Sequence, residues 1–363
     1  MLNHWRDAFF VDYGAGTHHN PVMAVAYLAT GLGRQWVIVF FVMSGYLVGG
    51  SVLRSVDVGR WSWRSYMLAR LTRLYIVLLP ALLLGGVLDW AGMHVAGTEA
   101  VYSGQSGMHS LTVDVHSTLT LPALVGNGLF LQTIALPGMS GQAVPVFGSN
   151  GPLWSLSNEF WYYMAFPLLA FLLARGRSWR VRAICGLSLL AWGWFVGANI
   201  VLFGIPWLMG VLISVLPPFP VGRSWTRRLA FVFALALLGG GMVLGKELQS
   251  LSSDLVLGLV VTFLIWVTLS CATGRLPAVY VRVAHLAARS SYTLYLVHMP
   301  MLIFLKASLH LPRALPGWHV CLISMGLLVA ILLYAQIVFA LFERNTDRVR
   351  NWLKPYVLGR QPA

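Results

Sequence analysis

Very few ionisable side chains interrupt the apolar stretches of this sequence, and those few are the places to look for chemistry. An ionised group at the centre of a lipid-embedded helix costs at least about 2.5 kcal/mol, so each one needs a partner or a task. Glu159, in SLSNEFWYY (155–163), is the one carboxylate well inside such a stretch. Helical spacing sets Ser155 and Tyr162/Tyr163 beside it. It reads either as a packing carboxylate satisfied by hydroxyls, or as a group that orients an imidazole or binds an acceptor hydroxyl. His4 has the side chain whose ordinary pKa, about 6.5, suits a general base near neutral pH, although by itself it is only a histidine near a chain end. His298 follows SYTLYLV and precedes Met299-Pro300. It reads equally as a core imidazole bonded to a neighbouring helix or as a functional group. Arg70 and Arg73, three residues apart, share a helix face. They either snorkel to a membrane surface or clamp phosphate, which paired guanidiniums bind bidentately.

Other chemistries have no footing. There is no GxGxxG, Walker A, HExxH or GxSxG context for nucleotide hydrolysis, metalloprotease or α/β-hydrolase chemistry. Cys185, Cys271 and Cys321 each lie in an apolar stretch without metal-ligand spacing and read as buried small hydrophobes; no metal is expected. His18 and His19 read as solvated loop residues.

The elements that must position these groups follow from composition. Of 363 residues, 58% are hydrophobic and 10% charged, against roughly 45–50% and about 25% in soluble chains. Mean hydropathy is +0.74. So few charges cannot cover the surface of a soluble protein, and the solvent for most of the chain is lipid. Disorder, coiled coil, collagen and a disulfide scaffold are excluded on the same figures. The formal charge of +14 would suit a nucleic-acid partner, but in a membrane protein cations report topology, and no nucleic acid is expected.

Nine apolar runs are long enough, or nearly so, to cross a core of about 30 Å: 35–53, 74–88, 153–174, 183–199, 201–217, 229–245, 254–272, 290–306 and 318–342. Cations cluster at alternate connections. Arg54, Arg60, Arg64, Arg70 and Arg73 precede the second run, and Arg175, Arg177, Arg180 and Arg182 follow the third. Arg223, Arg227 and Arg228 follow the fifth, and Arg275, Arg282 and Arg289 the seventh. Arg344, Arg348, Arg350, Lys354 and Arg360 lie in the tail. These clusters hold twenty of the 25 cations, which the positive-inside rule assigns to the cytoplasm together with the C-terminus. Arg6, Arg34, Lys246, Lys306 and Arg313 fall on the other side. Segment 89–152 contains no Lys or Arg; its apolar part, 119–136, carries Pro122, Gly126 and Gly128 and reads as interfacial or re-entrant. The expected organisation is an all-α polytopic bundle over 1–342 and a basic cytoplasmic tail over 343–363. With nine crossings the N-terminus starts outside. Met1–Asp12 is too polar for a signal peptide, so a first, outward-running helix is expected upstream of Met1, with His4 at its outer end.

Four stretches together resemble the acyltransferase 3 family of integral membrane acyltransferases. FFVMSGYL (40–47) resembles its FFVxSGFL helix, and YMLARLTRLY (66–75) its RRxxRxxP-type segment, with Ile76-Val77 at the proline position. LWSLSNEFWY (153–162) resembles its LWSLxxExxFY signature and SYTLYLVH (291–298) its SYxxYLxH motif. The match runs in order over roughly residues 1–342.

The resemblance implies a ten-helix bundle, nine helices of which are present. It implies passage of an acyl group, usually acetyl from cytoplasmic acetyl-CoA as co-substrate with no bound cofactor, to a hydroxyl of an extracytoplasmic glycan or lipid-linked saccharide. A multi-pass protein of a bacterial inner membrane is expected. His4 matches the essential histidine of the family's first helix; the family's arginine earlier in that helix would precede Met1. On this pattern His4 deprotonates the acceptor, Glu159 orients His4 or the acceptor, and Arg70 and Arg73 hold the CoA phosphates. Ser44, Trp154, Tyr292, Tyr295 and His298 line the substrate cavity, the last three donating to a developing oxyanion. His4 and the arginines are expected about 30 Å apart, at opposite faces of the core. The competing class is a transporter or flippase using Glu159 and His298 as an intramembrane path; the absence of an internal repeat counts against it.

Overall fold

Caps, glycines and prolines punctuate the apolar sequence into helices. The computed structural model describes residues 1–15, 20–136, 142–220, 224–271 and 277–359; His18, His19, Arg223, Arg275 and Arg360 lie outside them. In chain order the helices are α1 Leu2–Phe9, α2 Pro21–Thr30, α3 Gly33–Ser44, α4 Gly50–Asp57, α5 Trp63–Met93, α6 Glu99–Tyr102, α7 Val115–Thr118 and α8 Leu121–Gly128. They continue as α9 Leu153–Leu173, α10 Trp179–Ile213, α11 Ser224–Leu248, α12 Leu251–Cys271, α13 Ala278–Arg289, α14 Ser291–Ser308, α15 Trp318–Leu341 and α16 Thr346–Leu358. Among the described residues there is no β-strand, only isolated bridges such as Phe10 with Ala314. The fold is all-helical.

Side-chain oxygens start several helices where the first backbone N–H groups lack partners. Asn20 accepts from Met23 N at 2.7 Å ahead of Pro21, Ser62 caps α5 at Ser65 N, and Thr120 caps α8. Between α3 and α4 the backbone widens into a π-turn over Gly45–Gly49, so that Gly33–Asp57 runs as one helical rod. α10 breaks at Gly197, whose φ of 79° and ψ of 169° no helix accommodates.

Among the described residues six helical stretches are long and apolar enough to cross a membrane: Gly33–Asp57, Trp63–Met93, Trp179–Ile213, Trp225–Leu248, Leu251–Cys271 and Trp318–Leu358. Six rather than nine has a physical origin. The runs 183–199 and 201–217 merge across the Gly197 break, while α9 and α14 have the length but carry the polar residues of their motifs. The apolar run 119–136 forms only the eight-residue α8, about 12 Å long. Beyond it Phe130 (φ 58°) and Thr133 (φ 72°) adopt left-handed backbone.

The chain divides into two compact units. The first comprises Met1–Gly31, Ser62–Ser157 and Pro277–Ala363. Its core gathers Phe9, Phe10, Tyr102, Met108, Met299 and Ile303, and α5 packs on α14 with Gly85 against Pro300. The tail is not loose: α16 packs along α5. The second unit comprises Leu32–Trp61 and Asn158–Leu276. Phe41, Tyr162, Phe166 and Trp207 form an aromatic core there. Gly45 lies against the Trp207 carbonyl and Gly210 against that of Val42, so neither position has room for a Cβ.

Candidate active site

In the first unit, α1 is held from several sides. Trp5 Nε1 donates to the Ser324 carbonyl of α15 at 2.7 Å. Asp7, buried, accepts from His109 N at 3.2 Å, Ser110 N at 2.7 Å and Ser110 Oγ at 2.6 Å. Arg313 reaches Asp7 at 3.6 Å and Asp12 at 3.1 Å and donates to the Phe10 and Gly107 carbonyls. Asp12 also meets His109 at 3.0 Å. Partial burial opposes its ionisation, yet the His109 hydrogen bond and charge and the Arg313 guanidinium prevail and hold its carboxyl below the usual range.

So fixed, α1 presents His4 to α14. His4 Nδ1 lies 2.9 Å from His298 Nε2, and the ring planes differ by only 5°. His298 is fully buried. Its Nδ1 is 3.0 Å from the Leu294 carbonyl and 2.9 Å from that of Tyr295. Carbonyls only accept, so His298 Nδ1 carries the hydrogen and the neutral ring leaves Nε2 as an acceptor. His4 Nδ1 must then donate to it. In the neutral pair the remaining lone pair sits on His4 Nε2, the position a general base requires.

Tyr295, one turn from His298, is held by the start of α9. Its hydroxyl donates to the Pro152 carbonyl at 2.9 Å and shares a hydrogen bond with Ser155 Oγ at 2.7 Å. In this arrangement the Tyr295 hydroxyl ties α14 to the start of α9. The turn before α9 is secured in the same way. Asn150 donates to the Leu296 carbonyl at 2.8 Å. Asp89, buried in α5, accepts from Ser149 N at 2.8 Å and Ser149 Oγ at 2.7 Å.

Arg73 lies with its guanidinium 5.9 Å from the Tyr292 ring centre, and the Tyr292 hydroxyl donates to the Leu74 carbonyl at 3.2 Å. Arg70 lies 5.5 Å from the Tyr66 ring. Tyr292 and His298 are six residues apart on α14, an axial distance of about 9 Å. α14 thus carries both the Arg73 contact and the histidine pair, because α5 packs alongside it. Trp154 is half-buried in the first turn of α9.

The second unit holds the other polar group. Glu159, buried, accepts from Ser44 Oγ, which accepts from Trp207 Nε1 at 3.2 Å. Ser44 is the last residue before the π-turn, a helix irregularity frequent at functional sites. Arg34 meets the fully buried Asp254 at 2.5 Å.

The model of the acyltransferase 3 family, an acyltransferase domain, matches residues 2–335. The chain belongs to the acyltransferase 3 family. No curated protein and no solved structure matches it. The acyltransferase 3 signatures thus acquire structural meanings. FFVMSGYL ends in the π-turn that sets Ser44 beside Glu159, and SYTLYLVH sets Tyr295 and His298 one turn apart on α14. Asp89, Ser149 and Asn150 escaped sequence reasoning. Asp89 sat at the edge of an apolar run, and the others lay in a loop without a recognised pattern. The signal that would have found Asp89 is a carboxylate at membrane depth with no cation within a helical turn.

Proposed function

We propose that this membrane acyltransferase transfers an acyl group, most simply acetyl, from acyl-CoA to a hydroxyl of an extracytoplasmic glycan or lipid-linked saccharide. The observation that carries the reading is the His4–His298 pair. His4 Nε2 takes the proton of the acceptor hydroxyl as its oxygen attacks the thioester carbonyl. The imidazolium so formed keeps its Nδ1–H on His298, a charge-assisted hydrogen bond stronger than the neutral one it replaces. Collapse of the tetrahedral intermediate breaks the C–S bond, and the departing CoA thiolate takes the proton back from His4 Nε2. Arg70 and Arg73 hold the CoA phosphates, with Tyr292 beneath Arg73. The short run of α14 from Tyr292 to His298 brings thioester and base within reach of one extended pantetheine arm, which favours direct transfer over a covalent relay. Ser44 and Glu159 are the candidates for holding a hydroxyl-bearing substrate within the second unit.

The reading includes nine crossings, obtained by separating α10 at Gly197 and adding α9 and α14 to the other candidates. It places the C-terminus in the cytoplasm of a bacterial cell whose inner membrane holds the protein. The test is transfer from labelled acetyl-CoA in membranes. His4→Ala should lower turnover about 10²–10⁴-fold, the usual worth of a general base, with insertion unchanged; acylation that survives the substitution would overturn the proposal.

A further inference from the structure

α14 runs unbroken from Ser291 to Ser308 with Pro300 inside it. Proline has no N–H, so the Leu296 carbonyl, four residues earlier, loses its donor within the helix, and the proline ring crowds that oxygen. Leu296 and Pro300 are both buried, and an unpaired carbonyl in such a place is costly. The missing donor comes from outside the helix. Asn150, 2% exposed, donates from Nδ2 to the Leu296 carbonyl at 2.8 Å. A carbonyl only accepts, so it is the amide nitrogen of Asn150 that faces it. Asn150 is itself held in place: its neighbour Ser149 is bonded twice to Asp89 of α5, and its own carbonyl accepts from Leu153 N at 3.1 Å where α9 begins.

The turn that Asn150 completes is the one that holds the histidine pair. The carbonyls of Leu294 and Tyr295 meet His298 Nδ1, and that of Leu296, next in line, meets Asn150. His298 lies two residues before Pro300. A turn that has lost a bond to proline is one that can open or bend. With Asn150 in place, each of the three successive carbonyls is engaged by a side chain, and the turn is pinned from both ends.

We propose that Asn150 is a positioning residue for the His4–His298 pair: it replaces the N–H that Pro300 lacks, and so holds the turn whose carbonyls keep the hydrogen on His298 Nδ1. Its effect on turnover rests on the acyl-transfer reading; its effect on the histidine does not. Two readouts test it on the full chain in reconstituted vesicles. The first is the nitrogen NMR spectrum of ring-labelled histidine, the His298 signals being those lost in His298→Ala. In the unaltered chain its two ring nitrogens should be distinct, one bearing hydrogen and one bare. In Asn150→Leu, which keeps the volume, and Asn150→Ala, which adds no clash, they should draw together as the two tautomers mix. The second is transfer of labelled acetyl from acetyl-CoA. Both variants should lose about fivefold in kcat, the worth of one ordinary hydrogen bond, with KM unchanged. Pro300→Ala returns a backbone N–H to the Leu296 carbonyl, so in that background Asn150→Leu should change kcat by no more than about twofold. A purely structural asparagine would lower the melting temperature and move neither readout. Unmoved His298 signals in the Asn150 variants, a change confined to KM, or an equal loss in the Pro300→Ala background would each overturn the proposal. Transfer absent from the unaltered chain as well would instead end the acyl-transfer reading, and the ring-nitrogen spectra, which need no turnover, would still decide the role of Asn150.

Discussion

If His298 holds His4 in its working tautomer, its loss should slow chemistry without weakening substrate binding. In His298→Ala the His4 Nδ1–H loses its acceptor. The ring is then free to place its hydrogen on Nε2, where it cannot take a proton from the acceptor. The lost interaction is a hydrogen bond that becomes charge-assisted as the reaction proceeds, worth about 1.5–3 kcal/mol. At about 1.36 kcal/mol per decade this is a loss of about 10- to 150-fold in kcat with KM held. His298→Gln carries an oxygen close to the position of the imidazole Nε2 and should recover about fivefold, the worth of one ordinary hydrogen bond. Because His298 acts only through His4, the double variant His4→Ala/His298→Ala should be no slower than His4→Ala alone. The assay is steady-state transfer of labelled acetyl from acetyl-CoA in reconstituted vesicles, with thermal unfolding of each variant as a check. Additive losses in the double variant, or no recovery with Gln, would refute the orienting role.

Three further outcomes follow from the same geometry. Asp89→Ala strands the Ser149 N–H and Oγ–H in a buried site and should destabilise the protein by about 3–5 kcal/mol in thermal unfolding, whereas Asp89→Asn, which keeps one acceptor, should cost only about 1–3 kcal/mol. Gly45→Ala drives a Cβ into the Trp207 carbonyl and should cost about 1–3 kcal/mol or more; Gly239→Ala, with open space around it, should leave the melting temperature unchanged or slightly raised. Asp12 titrates lower in the folded chain than in the unfolded one, so its contribution is present above its unfolded pKa of about 3.9 and fades as pH falls through that value and below. Asp12→Asn should therefore be less stable than the unaltered chain near neutral pH, and the gap should close in acid; a gap that persists at low pH would remove the ion pair as its cause.

How much of this was legible in the sequence depends on whether the signal is local. Helix-length apolar runs are local, and each expected run overlaps a helix among the described residues, with the Gly197 break falling close to the expected division at residue 200. Ser155 and Glu159 were recognisable because one turn of helix joins them to their motif. His4 and His298, by contrast, were two separate histidines with an unremarkable alternative for each. What gives them roles is a contact across 294 positions of chain together with two carbonyls of α14, and carbonyls are the same in every sequence. Asp89 illustrates the same limit from the other side. Its partner Ser149 comes from a segment legible only as cation-free, and the hydrogen bonds that join them depend on where that segment returns.

The buried polar groups also differ in how they are satisfied, and the difference separates scaffold from site. Asp7, Asp89 and Asp254 each accept from hydroxyl, backbone or guanidinium donors fixed by the fold, so every one is a static clamp between segments of chain. The histidine pair is arranged otherwise. One end of it is locked by the Leu294 and Tyr295 carbonyls, and that lock propagates through the 2.9 Å contact to leave a single lone pair at the other end. Any neutral imidazole pair built on these two carbonyls takes this one sense, so the polarity follows from the fold of α14. On the proposed mechanism this is the polarity a base needs, since it leaves the lone pair at His4 Nε2 and keeps Nδ1 bonded, and the carbonyls of α14 supply it before any substrate arrives.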